Sequence, residues 1–295
     1  MNVYLFGSTT TTGEAYIDIF NKNIKNENLR VFSRYSKAYS KLDLDIPNSF
    51  KINEDFLLVS FAPIWKLAKF LDYFKNKKPE KLIFLKGIIA CSSSSLHTKR
   101  FSFSKFDKKL YEKLNNSELI ITKIYEALDI PICILQPTMI YGNVGIYKDK
   151  NINFLKSLLK HLPLLLIPSE SGLRQPIHSY QLALVAFYKT KEFIKSSKKV
   201  ITNITLGGDI TLSYKQILDS LNNENKFFKN KRKCLILEIP NRIYYFLLSP
   251  LLLFKPKWFA ALLRLNSNLS GFRTVSEFTK NPKRKFPLLK SDFNF

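Results

Sequence analysis

PICILQPTMIYG (131–142), YKDKNINFL (147–155) and SGLRQPIHSYQLALVAF (171–187) are the three pieces of this chain whose reading decides the fold. In the first, Ile132, Ile134 and Leu135 form a short apolar run that stops at Pro137 and turns at Tyr141-Gly142. That is the pattern of a buried strand leaving a sheet. In the second, Asn151 heads a helical pattern that reaches Leu162. In the third, Arg174, Gln175 and His178 gather just ahead of another apolar helix. Each polar cluster sits at the edge of an element, where a rigid scaffold can carry a ligand site.

Working outward, strand patterns fall near 2–6, 29–33, 56–60, 87–92 and 131–136, with helical stretches at 13–24, 62–77 and 108–128 between them. Such alternation predicts a parallel sheet with crossover helices. A further strand, Val200–Leu206, runs through Gly207-Gly208 into a helix at 213–221. The polar run NNENKFFKNKRK (222–233) reads as an exposed loop, and the basic tail after Gly271, with Pro282 and Pro287, as irregular.

The first strand ends in Gly7-Ser-Thr-Thr-Thr-Thr-Gly13 and a helix follows. Glycines there let a backbone approach a pyrophosphate at the helix N-terminus, whose free N–H groups and dipole favour anions. The hydroxyls of Thr9, Thr10 and Thr12 can add donors. The second strand ends at Ser33-Arg34 rather than at an acidic residue, which suits a ribose 2′-phosphate better than a free 2′-hydroxyl. An ordinary βα turn and a surface Arg at a strand end are the plainer readings.

Taken together, these segments resemble the nucleotide-sugar epimerase/dehydratase branch of the extended short-chain dehydrogenase/reductases. That family carries an RPT-x-IYG stretch, an Asp-x-Asn-Ile that opens the next helix and an RQPVH segment ahead of an Asp-Leu-Ala helix. The matching residues here are Gln136 to Gly142, Asp149 to Ile152 and Leu173 to His178. The likeness covers most of residues 1–221 and, more faintly, the tail. It implies a Rossmann-type doubly wound parallel sheet with a smaller interleaved C-terminal substrate region. Residues 1–200 would form the NAD(P)-binding part, with 138–180 contributing to the substrate site, and 201–295 the C-terminal substrate region.

By the same resemblance, Gly7, Thr9, Thr10, Thr12, Gly13, Ser33 and Arg34 would hold NADP or NAD, with Arg34 favouring NADP. Ser92 would close the strand near the nicotinamide and Ser94 would orient the reacting sugar hydroxyl. Asn151 and Arg174 would hold the diphosphate of a nucleotide sugar, and Tyr141 and His178 would line the same site. Core packing serves Tyr141 as well, and a structural hydrogen bond serves His178.

Departures from the family are marked. Thr10 replaces the middle glycine of the phosphate turn, and Gln136 replaces the Arg before Pro137. After His178, Tyr180 and Gln181 stand where the family has an Asp pair. The family's base is a Tyr with a Lys four residues on, one helical face on which the ammonium can lower the phenol's pKa. Those two slots fall here near Leu110 and Leu114, leaving Tyr111, with Lys108 before it, as a displaced candidate base. Tyr73 and Lys77 have the right spacing but precede the serine strand. Glu118 matches an acidic residue the family carries further along this helix. A catalytically silent dinucleotide- or nucleotide-sugar-binding protein therefore stands beside the enzyme reading.

The 295 residues carry 47 Lys+Arg against 23 Asp+Glu, a net charge of +24. The lysines are scattered, which fits solvated faces and a phosphate-bearing small molecule. RNA binding rests on the charge alone, because no aromatic residues interleave with a basic stripe, so no nucleic-acid partner is expected. Cys91, Cys133 and Cys234 have no metal-ligand spacing, and an odd count makes no disulfide framework, so a reducing, cytoplasmic setting without metal is expected. The N-terminus opens on a strand with no signal-peptide layout. The stretch 243–265 is apolar but broken by Pro250 and Pro256, leaving open helices that cover the core or an element on a membrane surface. A homodimer is compatible with the family.

Overall fold

The computed structural model describes residues 1–24, 28–196, 198–224 and 233–293. The first half runs β1 (Asn2–Phe6), α1 (Thr11–Asn23), β2 (Leu29–Ser33), β3 (Ser40–Lys41), β4 (Phe56–Ser60) and α2 (Ile64–Lys77). It continues through α3 (Pro79–Leu82), β5 (Leu85–Cys91), α4 (Ser95–Lys99), α5 (Lys105–Leu128) and β6 (Ile132–Pro137). Then come β7 (Ile140–Tyr141), α6 (Asn151–His161), β8 (Leu164–Pro168), β9 (Leu173–Arg174), β10 (Ile177–His178) and α7 (Ser179–Lys195). Next are β11 (Ile201–Gly207), β12 (Leu212–Ser213), α8 (Tyr214–Glu224) and β13 (Leu235–Ile239). The chain closes with α9 (Asn241–Leu248), α10 (Pro250–Phe254), α11 (Pro256–Leu263), β14 (Arg273–Thr274) and α12 (Val275–Thr279).

Eight strands form one sheet in the order β14-β11-β6-β5-β4-β1-β2-β3, and every pairing in it is parallel. The chain starts mid-sheet at β1, winds outward through β2 and β3, then returns to build β4, β5 and β6 on the other side. This is the doubly wound Rossmann arrangement, and its strand order reverses between β1 and β4, which is where such sheets open a ligand crevice.

Parallel strands covered on both faces read as continuous apolar runs, and β1, β4 and β6 are buried along nearly their whole length. Alternate residues serve opposite faces. Val3 and Leu5 pack with Ala15, Tyr16, Ile19 and Phe20 of α1 and with α7. Tyr4 and Phe6 face α2 and α5, in a cluster with Phe50, Phe56, Phe70 and Phe74. The Tyr4 and Phe56 rings stack at 4.4 Å, and Phe6 meets Phe70 edge-on at 5.4 Å. Each such buried side chain is worth roughly 1.5–3 kcal/mol, so this aromatic face anchors the half of the sheet that carries the crevice.

The remaining elements form the smaller region. It is built from parallel β8–β13, antiparallel β9–β12 and parallel β7–β10, with α6 against α8. The 1–200/201–295 division follows chain order, whereas β11 and β14 both lie beyond residue 200 and belong to the main sheet. The tail is regular only at its start: Arg273–Thr274 add the eighth strand and α12 packs on α7, whereas 280–289 carry no strand or helix. Asp209 ties it down, accepting from Gln181 Nε2 and the Ser276 amide, both at 2.8 Å. Of the loop expected at 222–233, Asn222–Glu224 close α8 and 225–232 lie outside the described residues.

Candidate functional site

The turn after β1 is shaped by what it cannot hold. Gly7 has φ +76°, and a Cβ there would run into the Phe61–Ala62 peptide after β4. A Cβ on Gly13 would meet the Gly7 carbonyl, so both glycines let α1 start hard against the strand ends. Thr10, at the place of the missing glycine, is the N-cap of α1. Its hydroxyl accepts from the Gly13 amide at 3.0 Å and donates to the Gly7 carbonyl at 2.8 Å. The hydroxyl is thus turned into the loop, while Thr9 stays exposed and Thr12 is buried. The N–H groups of Thr11 and Thr12 in the first turn have no intrahelical acceptor and mark the positive end of the helix.

Beside this turn lies a cleft of about 190 Å³ lined by Gly7, Thr9, Thr10, Ser33, Arg34, Asp43 and Lys66 over a floor that includes Phe6, Phe32 and Leu42. The Ser33 hydroxyl accepts from the Tyr35 amide at 3.3 Å and the Ser36 amide at 3.0 Å, bending the chain so that Arg34 flanks the cleft. The Arg34 guanidinium stacks on the Tyr35 ring at 4.3 Å and stands 3.9 Å from Asp43 and 4.0 Å from Asp45. Lys66 pairs with Asp45 at 2.5 Å. These pairs are solvent-exposed and weak, so both cations can be recruited by a stronger anion.

At the other end of the carboxyl edge a polar chain crosses β5, β6 and β11. The Ser92 hydroxyl donates to Glu118 of α5, and Gln136 Nε2 donates to the same carboxylate at 2.8 Å. Gln136 Oε1 accepts from the Thr205 hydroxyl at 2.9 Å and lies 2.8 Å from His97 Nε2. Glu118 and Gln136 are buried, whereas His97 is exposed. Ser94 is buried at the head of α4, its amide donating to the Pro137 carbonyl at 2.9 Å. His97, one turn further on, had no role from the sequence. The run of serines ending in Leu96-His97 was the available signal.

The expected acid/base slots belong to the core. Leu114 is buried among the side chains between α2 and α5, and Leu110 packs against the same cluster. Tyr111 is half-buried and Lys108 exposed on α5, and no hydrogen bond joins Tyr111 to Ser94 among the described residues. One turn earlier, the buried carboxylate of Asp107 takes Lys99 at 3.0 Å, Arg264 at 2.5 Å and the Ser102 hydroxyl at 3.1 Å. Burial works to raise its pKa, but Lys99, Arg264 and Ser102 outweigh that and hold it below the usual carboxylate range.

On the substrate side, Asn151 is exposed at the start of α6 and donates to the Ile140 carbonyl at 3.1 Å. Asp149, two residues ahead of that helix, accepts from the Ile152 amide at 2.7 Å. Arg174 is buried, and its fork donates to main-chain carbonyls: Leu173 at 2.8 Å, Arg264 at 2.6 Å and also Ser267. It lies over the Tyr214 ring at 4.8 Å. Gln175 holds the tail, accepting from the Phe272 amide at 2.9 Å, and Gly208 has no Cβ because the Pro176 carbonyl occupies that space. His178 caps α7, Nδ1 accepting from the Tyr180 amide at 3.2 Å. Its ring stacks on Phe293 at 5.1 Å, and burial pulls its pKa down to about 4. The Tyr141 hydroxyl accepts from the Leu288 amide at 3.1 Å, and burial pushes the phenol pKa up. Gln175, His178 and Tyr141 therefore join the tail to the body of the protein, and Arg174 joins residues 264–267 to it. Burial also lifts the thiols of Cys91 and Cys133, to about 12 and about 11, so neither is a ready nucleophile.

The same doubly wound fold is found in solved nucleotide-sugar epimerases and reductases. Among solved structures, UDP-glucuronic acid 4-epimerase from Bacillus cereus, in complex with UDP-glucuronic acid and NAD, is 15% identical. The match covers 81% of this chain and 86% of that one at a TM-score of 0.57. GDP-mannoheptose C4 reductase from Campylobacter jejuni, with NADP bound, is also 15% identical, over 82% and 91% of the two chains, at 0.56. A protein solved with UDP-glucose and NAD is 12% identical over 97% and 95%, at 0.57. At such identities the likeness is one of fold. No family model matches the sequence, and no curated protein matches it significantly.

Proposed function

We propose that this protein binds a nicotinamide dinucleotide, NADP(H) in preference to NAD(H), in the cleft over β1, β2 and β4. It would act there on a nucleotide-linked sugar as an epimerase, dehydratase or reductase. One observation carries the proposal: Gly7, Thr9, Thr10, Ser33 and Arg34, from two separate loops, line a single cleft at the point where the strand order reverses. The glycines let α1 start hard against the strand ends, and the hydroxyl of Thr10 is folded into the turn.

When bound, the cofactor supplies hydride exchange with a sugar carbon. The chain's own groups do the rest. The first-turn amides of α1 hold the pyrophosphate. Arg34, helped by Lys66, meets the ribose 2′-phosphate. Ser94 orients the reacting hydroxyl, and Tyr111 or His97 takes its proton. Asn151 is left to contact the sugar diphosphate.

A second reading, a binding protein of the same fold without turnover, is favoured by Leu110 and Leu114 packing into the core where a proton-transfer pair would stand. Titration with NADPH and NADH, followed by nicotinamide fluorescence, tests the cleft. NADPH should bind tighter, and Arg34→Ala should weaken it by about tenfold, roughly 1.4 kcal/mol, with little change for NADH. Binding of neither would sink the enzyme reading and leave the second only as a nucleotide-sugar binder. Binding without conversion of any nucleotide sugar tried, followed by the cofactor's absorbance and product chromatography, would leave the second.

A further inference from the structure

Helices α9, α10 and α11 follow one another with Pro250 and Pro256 in the first turns of the second and third, so one long helix is broken into three short ones. They do not cover the core. Among the described residues Tyr244 is their one buried side chain, while Phe246, Leu253, Phe254 and Trp258 are exposed, Leu253 by 82% and Phe254 by 80%. Leu252, Pro256, Phe259 and Leu263 of α10 and α11 form one wall of a groove of about 620 Å³, and the other is the loop before α5, whose Phe101 and Phe103 are exposed by 82% and 98%. The buried carboxylate of Asp107 pins the two walls by taking Lys99 from one and Arg264 from the other. The result is one apolar face with two walls.

Its charge is mainly positive, although the Glu170 carboxylate accepts from Asn241 at the head of α9. Between Glu238 and Glu277 the sequence has Arg242, Lys255, Lys257, Arg264 and Arg273 and no carboxylate. Between Glu80 and Asp107 it again has none, with Lys99, Arg100 and Lys105 close to the two phenylalanines. Arg100, Lys105, Arg242 and Lys255 are exposed beside the apolar side chains. A second copy of this face would set cations against cations. Apolar side chains ringed by cations complement an acyl boundary under anionic headgroups. No helix among the described residues is long and apolar enough to cross a membrane, so the contact would lie in the plane of the surface.

We infer that α9–α11 and the Arg100–Lys105 loop together form a docking face for an anionic lipid bilayer. The inference is independent of what the cleft binds. The test is flotation of the full chain with vesicles of phosphatidylcholine alone and of an equal mixture with phosphatidylglycerol. The protein should float with the mixed vesicles and about tenfold less with phosphatidylcholine alone or at high salt. The doubly substituted Leu253→Asp/Phe254→Asp and Phe101→Ser/Phe103→Ser variants should each lose about tenfold or more while keeping the wild-type melting temperature, since these side chains are exposed. Failure to float with mixed vesicles would overturn the inference, as would undiminished flotation of both variants. So would a wild-type dimer, seen by light scattering, that Leu253→Asp/Phe254→Asp turns into a monomer with no vesicle binding at any stage.

Discussion

The two ends of the sheet's carboxyl edge keep their resemblance to a dehydrogenase in different materials. At β1, β2 and β4 it is kept by main chain: a glycine at φ +76°, a second glycine against its carbonyl and a helix start with open amides. At β5, β6 and the segments beyond, it is kept by side chains, and many of those serve the fold. Ser92 binds Glu118, Arg174 binds carbonyls, His178 caps a helix and stacks on Phe293, and leucines fill the Tyr and Lys slots. Backbone recognition needs only that nothing protrude, and the Thr10 hydroxyl is bonded back into the turn. Proton transfer needs particular atoms in particular places, and a leucine at Leu110 or Leu114 cannot supply them, which leaves that role to Tyr111 or His97.

The sharpest way to break this contrast is at Gly7. Gly7→Val adds a branched side chain at positive φ, aimed at the Phe61–Ala62 peptide, which cannot yield without moving β4. A cost of about 4 kcal/mol or more is expected, a large share of a typical domain's total, so soluble yield and thermal midpoint should collapse. Gly271→Ala is the control: φ is +83° but nothing lies within 4 Å of the added Cβ, so only the backbone term of about 1–2 kcal/mol applies. Equal losses at the two positions would mean that close approach is not what Gly7 provides.

Next in size is Arg174. If its fork is structural, Arg174→Ala leaves the carbonyls of Arg264 and Ser267 without their donor and should cost about 4 kcal/mol. The urea midpoint would fall without a change in slope. A variant of unchanged stability that binds nucleotide sugar poorly would return Arg174 to the substrate.

The alternation of strands and helices made the sheet legible, because two-sided burial writes itself as unbroken apolar runs such as NVYLF and FLLVS. The cleft was legible for a related reason: glycines at a strand–helix junction and an Arg at a strand end mark positions fixed by local chain geometry. What stayed hidden depends on distant segments. The sequence shows Arg174 as a loop cation, and only the fold brings residues 264–267 beneath it. Strand β14 is two residues long, too short to carry a period, and it exists because β11 offers an open edge. Likewise the apolar stretch from 243 to 265 leaves burial and exposure equally open until Tyr244 proves to be its sole buried side chain among the described residues.

The smallest of the three effects concerns His178, and it separates a fold-bearing histidine from a site-bearing one. Burial lowers the imidazole pKa to about 4, against 6.5 for the free side chain, with Asp292 opposing and Arg284 reinforcing the shift. Between those values the unfolded chain binds a proton that the folded chain refuses, so stability rises with pH across the window and is lost as pH falls through it. The full difference is about 3 kcal/mol. His178→Asn keeps a cap that can accept from the Tyr180 amide and removes the titration. Chemical denaturation at a series of pH values should therefore show a wild-type slope from about pH 4 to about 6.5 that the variant lacks. Identical slopes would mean that His178 is hydrated and available to a ligand, and the contrast between the two ends of the edge would narrow to Arg174 and the missing pair.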